Sequence, residues 1–322
     1  MLTAYVPADG ALNRAELPAG APVPEEAVWL DMLGPSPDEE RAVEAALGVG
    51  VPTREEMKEI EASSRLYEED GALYMTATIV TNADSENPES AAVTFMLIGR
   101  RLVTVRYADP QPFRLFAAYA ARHPAVCATG EATFAALLDA IIDRLADILE
   151  MIGADVDALS KEIFARGARP RSRDFQQLLV RVGRNGDLTS KVRESLVSVG
   201  RVLTFSRQAI RARSQPAVQA RLETINQDVQ SLSDYVAFLS NKIAFLLEAV
   251  LGMINIEQNN IIKIFSVVAV VFLPPTLIAS IYGMNFDVMP ELHWIAGYPF
   301  AILLMIVSAI LPYLYFKGRG WL

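Results

Sequence analysis

The chain has 322 residues, 52% of them hydrophobic, so it is longer than one ordinary domain and more apolar than most soluble proteins. Its formal net charge of −9 argues against nucleic acid as a partner, because nucleic-acid binding depends on basic residues, and it is compatible with cations. The one cysteine, Cys127, excludes an intrachain disulfide framework and is interpreted as a small buried apolar residue. The two histidines, His123 and His293, are far apart in sequence, which argues against a preassembled zinc site.

Residues 1–125 mix short strand and helix patterns and predict an α/β cytoplasmic domain. A helix is expected to begin at Ser36-Pro37, where a capping residue, a proline and three acids occur together. A second helix start is expected at Thr53, which has capping-box spacing to Glu56. The last two of the strand-like segments meet at Gly99-Arg100 and predict a hairpin. The strand-like segments are MLTAYV, AVWLDML, ALYMTATIV, AAVTFMLI and RRLVTVRY.

Residues 126–215 predict a helical hairpin. From Phe134 to Ile152, apolar residues recur at i, i+3 and i+4 and form one helix face. The basic stretch 166–173 interrupts this pattern and is interpreted as a solvated loop tip rather than an anion-binding site. A second helix is expected from about Asp174 to Ser206.

Residues 216–283 predict one very long helix, because no strong breaker follows Pro216 until Pro274. A continuous helix from about Ala217 to Gly283 would hold 67 residues and extend roughly 100 Å at 1.5 Å per residue. Apolar residues at alternating spacings of 3 and 4 favour packing of its first part against other helices. They are Val229, Leu232, Val236, Leu239, Ile243, Leu246 and Val250.

Two segments near the C-terminus, about 264–282 and 298–316, carry no formal charge. Each is close to the roughly 20 residues with which a helix crosses a bilayer, so two transmembrane helices are predicted. The first would be the end of the long helix. Residues 284–297 would form the loop between them, and 317–322 would form a tail.

The basic residues predict the orientation of these spans. Lys263 precedes the first span, Lys317 and Arg319 follow the second, and no Lys or Arg lies between. The positive-inside rule then places both termini in the cytoplasm and the loop outside. The first residues lack a basic start followed by an apolar core, so no secretory signal peptide is expected. A multi-pass protein of the cytoplasmic (inner) membrane is predicted.

A line of small and polar residues follows the 3,4 spacing along the first span. Such a line is typical of a dry interface between close-packed helices, or of the wall of a water-filled path enclosed by several copies. In the second interpretation, bulky residues would narrow the path and hydroxyl and amide oxygens would contact the ion. Pro274-Pro275 is assigned no gating role. The candidate pore-lining residues, with one bulky neighbour, are Asn259, Ile262, Phe265, Ser266, Ala269, Leu273, Thr276 and Ser280.

The line ends at Tyr282-Gly283-Met284-Asn285, which is followed by Met-Pro-Glu-Leu at 289–292 and by a second span opening with Gly-Tyr-Pro at 297–299. With these motifs between two terminal spans, the chain resembles the CorA family of divalent-cation channels. Segments 52–57 and 64–67 are similar to that family's N-terminal domain, so the resemblance covers most of the chain. It implies an α+β fold with an N-terminal α/β cytoplasmic domain, a helical hairpin, a stalk helix continuing into the first of two transmembrane helices, and a funnel-shaped homopentamer.

The resemblance also implies passive Mg²⁺ influx, with Co²⁺ and Ni²⁺ as possible companions, and closure when cytoplasmic Mg²⁺ binds acidic residues. Gly283, Met284 and Asn285 are then the candidate selectivity filter. Asp287 and Glu291 of the outer loop either attract cations through their field or are merely solvated. The zinc-transporting branch of the superfamily usually departs from the Met-Pro-Glu-Leu loop, which favours magnesium.

Candidate regulatory carboxylates are less well defined by the sequence. Glu248 and Asp228 on the stalk are chosen as possible Mg²⁺ ligands, and most other acids are interpreted as solvated helix faces. The other acids considered are Asp139, Asp143, Asp147, Glu150, Asp155, Asp157, Asp234 and Glu257.

Several alternatives to a magnesium channel remain at this level. One is a transporter of Zn²⁺ or another transition metal, which could be proton-coupled. Another is a non-conducting, membrane-anchored coiled-coil scaffold. The sequence contains no phosphate-binding loop, nucleophile arrangement or metal cluster, so neither an enzyme nor a cofactor is expected. The expected partners are other copies of the chain, divalent cations and the lipid bilayer.

Overall fold

The structure is a computed structural model that describes residues 1–8, 11–164, 172–211, 214–285 and 289–320. Its contacts divide the chain into two compact units. The first comprises residues 1–169 and 176–247, and the second comprises residues 170–175 and 248–322.

A seven-stranded mixed sheet forms the centre of the first unit, in the order β2-β1-β3-β7-β6-β5-β4. The pairing of β3 with β7 is parallel and the other pairings are antiparallel. All five predicted strands are present, and β6 and β7 form the predicted hairpin, with Gly99 in the left-handed region at φ +56°. The strands are β1 Leu2–Ala8, β2 Ala11–Leu17, β3 Trp29–Leu33, β4 Leu66–Glu69, β5 Ala72–Thr81, β6 Glu89–Ile98 and β7 Arg101–Arg106.

Strands β2 and β4 were not predicted. Leu12 is the only buried residue of β2, so the strand has no hydrophobic alternation. β4 has four residues, none of them buried. Both strands therefore depend on pairing with a neighbour rather than on a pattern of their own.

Helix α1 (Pro37–Leu47) covers one face of the sheet, where Val43 joins a core cluster with residues of β1, β3 and β7. Its predicted start is confirmed by a reciprocal capping box. Ser36 Oγ accepts a hydrogen bond from the Glu39 backbone N–H at 3.4 Å, and the Glu39 carboxylate accepts one from the Ser36 N–H at 2.8 Å. Glu39 also accepts from the Leu2 N–H at 2.8 Å, which ties the start of α1 to β1.

The second predicted helix start is only partly right. The Thr53 and Glu56 hydrogen bonds of a capping box are present, but they lead into a 3₁₀ helix of three residues, Glu56–Lys58. Met57 is the one buried residue of this short helix, Glu59 is already extended and Ile60 is 83% exposed, so burial does not continue beyond a single turn. A capping box specifies where a helix begins, whereas its length depends on packing. A four-residue helix α2 (Ala62–Arg65) follows.

The opposite face of the sheet is covered by α3 (Gln111–Arg122), by a short 3₁₀ helix (Pro124–Cys127) and by the start of α4. Aromatic rings form this contact: Phe116 lies 5.4 Å from Trp29, and Phe113 and Phe134 lie 6.4 and 5.6 Å from Phe95. Cys127 is buried, as predicted.

Three long helices follow: α4 (Gly130–Phe164), α5 (Ser172–Ile210) and α6 (Pro216–Tyr282). The predicted continuous helix is present as α6, and the basic segment 166–173 lies mostly outside the described residues. The apolar residues predicted to face inward on α4 and α6 are buried, with Leu232 only partly covered. Glycines allow close contacts here, since a Cβ at Gly153 would lie 2.5 Å from the Tyr235 hydroxyl.

The second unit contains the C-terminal part of α6, a 3₁₀ helix (Pro290–His293) and α7 (Gly297–Gly318). Both α6 and α7 are long and apolar enough to cross a membrane. Only 6% of the apolar window of each helix is buried within the chain, so most of both surfaces is left for lipid or for other protein.

Gly130 should tolerate no side chain. A Cβ there would lie 2.4 Å from the Arg101 carbonyl carbon. We therefore expect Gly130→Ala to lower the free energy of unfolding by about 1–3 kcal/mol, because the backbone must shift. Gly183 lies in α5 with nothing within 4 Å of its Cβ position. Because alanine favours a helix over glycine, Gly183→Ala should raise the free energy of unfolding by up to about 1 kcal/mol. Thermal unfolding of the full-length variants should give Tm changes of opposite sign, and equal effects would contradict the packing described for α4.

Candidate functional site

The predicted pore-lining residues lie on the uncovered side of α6. In this part of the helix, Val267 is buried, and Val271, Pro274 and Ile278 are partly covered. At 3.6 residues per turn these four lie on one face, and the predicted line runs along the opposite face. Its residues are all exposed: Asn259, Ile262, Phe265, Ser266, Ala269, Leu273, Thr276 and Ser280.

Two hydroxyl groups of this line donate hydrogen bonds to the helix that carries them. Ser266 Oγ donates to the Ile262 carbonyl at 2.8 Å, and Thr276 Oγ1 donates to the Phe272 carbonyl at 2.7 Å. Each hydroxyl has one proton, so what remains for other molecules is the acceptor lone pairs of its oxygen. An exposed face built this way favours a cation or the hydrogens of a hydrated cation.

Bulky apolar residues alternate with these hydroxyls. Ile262, Phe265 and Leu273 are 54%, 70% and 65% exposed, so the chain itself covers little of them. In a ring of symmetric copies such side chains would narrow a path and could empty it of water. They would equally fill a dry interface, so these three residues do not distinguish the two interpretations.

Pro274 and Pro275 lie within α6, which stays helical through them. Because proline has no N–H, the carbonyls of Val270 and Val271 lack their usual i+4 donor. Thr276 donates to the next carbonyl, that of Phe272.

The Gly-Met-Asn motif forms the C-terminal end of α6. After Tyr282, Gly283 N–H donates to the Ala279 carbonyl at 3.0 Å and Met284 N–H to the Ile281 carbonyl at 3.2 Å. A Cβ on Gly283 would lie 3.1 Å from the Ala279 oxygen, so the turn favours glycine. Carbonyls at a helix C-terminus carry partial negative charge, which favours a cation. Asn285 follows the turn and is exposed.

The two acids predicted for the outer loop are Asp287 and Glu291. Asp287 lies outside the described residues. Glu291 belongs to the 3₁₀ helix Pro290–His293, and its side chain is outside the described part. Next to that helix, the rings of Trp294 and Phe300 lie 5.7 Å apart at the start of α7.

Several of the candidate regulatory acids are neutralised within the chain. Asp139 accepts from Arg221 at 2.6 Å, Asp155 from Arg181 at 2.6 Å, and Asp157 pairs with Lys242. The two chosen residues, Asp228 and Glu248, are exposed on α6, and neither forms an ion pair within the described part of the chain. They therefore keep a free negative charge.

Asp143 is a further candidate regulatory acid, because helix packing places it near Asp228. Burial raises the pKa of Asp143, and the neighbouring Asp139, Asp147 and Asp228 carboxylates raise it further. From the sequence, Asp143 could not be distinguished from the other nine candidate acids, because its proximity to Asp228 depends on how α4 packs on α6. Within the described ranges, no group of three or more His, Cys, Asp or Glu residues could hold a metal ion.

Comparison with known proteins gives a consistent result. A family model described as CorA-like Mg²⁺ transporter protein matches residues 24–318. The magnesium transport protein CorA of Escherichia coli (strain K12) is 38% identical over 322 residues, 100% of both chains, and that of Haemophilus ducreyi is 37% identical over 297 residues, 92% of both. The complete structure of the CorA magnesium transporter from Methanocaldococcus jannaschii superposes with a TM-score of 0.76 at 18% identity, covering 100% of this chain and 99% of that one, which supports the fold.

Cysteine accessibility should distinguish a wet face from a dry one. In a Cys127→Ala background, a charged, water-soluble thiol reagent should modify Thr276→Cys, because water would reach that face. It should leave Ile278→Cys, on the covered face, largely unmodified. The measurement is the rate of labelling in the assembled membrane protein. Equal protection of both positions would favour the dry interface and the scaffold interpretation.

Proposed function

Because the chain belongs to the CorA family of Mg²⁺ transporter proteins, we propose that it conducts Mg²⁺ passively along the exposed small and polar face of α6. The family consists of transporters, so the expectation that the chain is not an enzyme is confirmed. The observation that carries the mechanism is the position of this face. It lies opposite the covered face of α6 and ends at the Gly-Met-Asn turn.

Conduction requires several copies of the chain. Two spans cannot enclose a pore, so identical α6 helices would surround the path with α7 outside them. The low burial of both spans is compatible with self-association, since most of their surface is not covered within one chain. We propose a homopentamer, as the resemblance to the family implies, in the cytoplasmic membrane with both termini in the cytoplasm.

Asn285 would act as the entrance filter together with Gly283 and Met284. Mg²⁺ gives up its water reluctantly, so an entrance of amide and carbonyl oxygens could hold the hydrated ion through hydrogen bonds without stripping it. A ring of neutral amides also binds more weakly than a ring of carboxylates, which allows release. Asp287 and Glu291 would attract cations toward this mouth.

The membrane potential provides a sufficient driving force. Two charges gain about 4.6 kcal/mol per 100 mV, at roughly 2.3 kcal/mol for each elementary charge. Influx therefore requires neither nucleotide hydrolysis nor a cofactor, and Mg²⁺ would be both the transported and the regulatory ion.

The ligands along the path favour a hard cation. The residues on the exposed line of α6 supply oxygens and apolar groups, with neither histidine nor cysteine among them. Oxygen ligands suit Mg²⁺, whereas Zn²⁺ prefers nitrogen and sulfur. Co²⁺ and Ni²⁺ would be transported as well, because they are hydrated ions of the same charge. The alternative is a transporter of zinc or another transition metal, with or without proton coupling. Ion competition measured with and without a pH gradient would distinguish it from a Mg²⁺ channel.

Feedback closure would use carboxylates that stay unpaired within one chain. Asp228 and Glu248 are exposed and uncompensated, and Asp228 adds to the charge around Asp143. Bridging such groups between copies by cytoplasmic Mg²⁺ would relieve their repulsion and stabilise a closed arrangement.

The filter can be tested by flux into liposomes under an inside-negative potential. We expect Asn285→Ala to lower Mg²⁺ flux or selectivity about tenfold or more, because hydrogen bonds to charged groups are worth about 1.5–3 kcal/mol. Asn260→Ala is the matched control, since Asn260 is exposed on α6 but lies off the predicted line. Normal flux and selectivity in the Asn285 variant would refute the filter.

The regulatory carboxylates can be tested in the same liposomes with Mg²⁺ varied on the cytoplasmic side. Asp228→Asn and Glu248→Gln should each raise the Mg²⁺ concentration that halves the flux while leaving ion selectivity unchanged, because each removes one charge that the ion would neutralise. Asp234→Asn, also exposed on α6, serves as the control. Unaltered inhibition in both variants would exclude these residues from the sensor.

A further inference from the structure

A cavity of about 420 Å³ lies in the soluble domain, between strands β1 to β3 and helix α3. Strand pairing forms its floor, because Thr3 and Tyr5 share one face of β1 and Tyr5 lies opposite Arg14 of β2. Its walls are mostly apolar, with Leu33, Phe113 and other side chains exposing little polar surface. Pockets for small molecules typically have volumes of about 300–1,000 Å³, with apolar walls and a few polar groups.

Thr3 and Tyr5 both line this cavity, and the Thr3 hydroxyl has no hydrogen-bonding partner among the described residues. Thr3 is 1% exposed, and its Oγ1 is buried without a hydrogen bond. Tyr5 is 5% exposed, and burial raises its pKa to about 12, so at neutral pH it keeps its proton as a donor. Buried hydroxyls are normally satisfied, so a cavity with such a group lacks a hydrogen-bonding partner that a ligand could supply.

The charges around the cavity favour an anion. Three arginines and two aspartates line it, and both aspartates are already engaged. Asp31 accepts from Thr104 and Arg106 at 2.7 to 3.0 Å, and Asp109 accepts from Arg106 and Arg114 at 2.7 and 2.6 Å.

Arg14 is the least committed of the three arginines. Its one partner is Glu16, at 2.8 Å, in a pair whose side chains are 55% and 60% exposed. Exposed pairs of this kind contribute little, so the Arg14 guanidinium is available to a ligand. One available arginine suits a single negative charge better than the double charge of a phosphate monoester.

We propose that this cavity binds a small organic monoanion with an apolar body, of the aromatic carboxylate class. The carboxylate would accept hydrogen bonds from Arg14 and from the Thr3 or Tyr5 hydroxyl. The apolar body would contact Phe113 and Leu33. This site is distinct from the ion path, and its occupancy does not depend on conduction.

Trp29 provides a local reporter. The Tyr5 ring lines the cavity and stacks on Trp29 at 4.1 Å, and the Trp29 indole N–H donates to Thr104, which donates to Asp31. The chain has three tryptophans, so Trp294→Phe and Trp321→Phe leave Trp29 as the only one in the full-length protein. Its fluorescence should respond when a ligand contacts Tyr5.

The experiment titrates this single-tryptophan protein with benzoate, with its neutral analogue benzamide and with the cation benzylamine. We expect a saturable change in Trp29 fluorescence with benzoate and little change with the other two. No saturable response to benzoate would overturn the proposal, and an equal response to benzamide would overturn the anionic class.

Three variants connect the response to the cavity. Arg14→Gln should weaken benzoate binding about tenfold or more, because the free energy of a hydrogen bond to a charged group corresponds to at least that change in affinity. Arg41→Gln removes a 72% exposed arginine elsewhere in the domain and should leave the affinity unchanged. Ala117→Leu should block binding by filling the cavity. Thr3→Val should weaken binding without lowering Tm, because it removes a hydroxyl that has no partner in the free protein. Unchanged affinity in both Arg14→Gln and Ala117→Leu would place benzoate elsewhere and refute the site.

Discussion

A helix in hydrocarbon must satisfy its own backbone hydrogen bonds, and this constraint determines how α6 can be built. The helix runs from Pro216 to Tyr282, and the structure keeps it helical even across Pro274 and Pro275. Apart from the Val270 and Val271 carbonyls, which lose their usual donors at the two prolines, the helical backbone is satisfied internally, so side chains distinguish most of the helix surface. In the first unit, one apolar face of α6 is buried, and its exposed faces carry polar residues together with exposed Phe238 and Phe245. In the apolar part, a covered apolar face lies opposite an exposed face of small and polar residues.

The chemistry of that exposed face follows from the same constraint. Ser266 and Thr276 donate their protons to carbonyls of the helix, so these two hydroxyls present only oxygen lone pairs to other molecules. At the end of the helix, carbonyls with partial negative charge precede the Asn285 amide. A path with these groups would hold a hydrated dication through many weak contacts instead of a few strong ones, which is compatible with both entry and release.

Features with a local cause could be predicted from the sequence. The capping box at Ser36, the five predicted strands and the long helix each have a signal in adjacent residues. The exposed line on α6 follows from helical periodicity alone once the helix is known to be continuous. Features that depend on pairing or packing could not be predicted. Strand β2 is held by β1 despite its polar pattern, and Asp143 meets Asp228 only because α4 packs on α6. The cavity also could not be predicted, since it depends on the strand register that places Arg14 opposite Tyr5.

The distribution of paired acids explains why regulation would need both an ion and a neighbouring chain. Ion pairs with Arg221, Arg181 and Lys242 neutralise part of the acidic surface and connect α4 to α5 and α6. The remaining carboxylates repel one another, and the raised pKa of Asp143 reflects that repulsion along with burial. A monovalent cation would neutralise one such group at a time. A divalent cation can neutralise two carboxylates from different copies of the chain. The association of the acidic surfaces would therefore depend on the concentration of that cation.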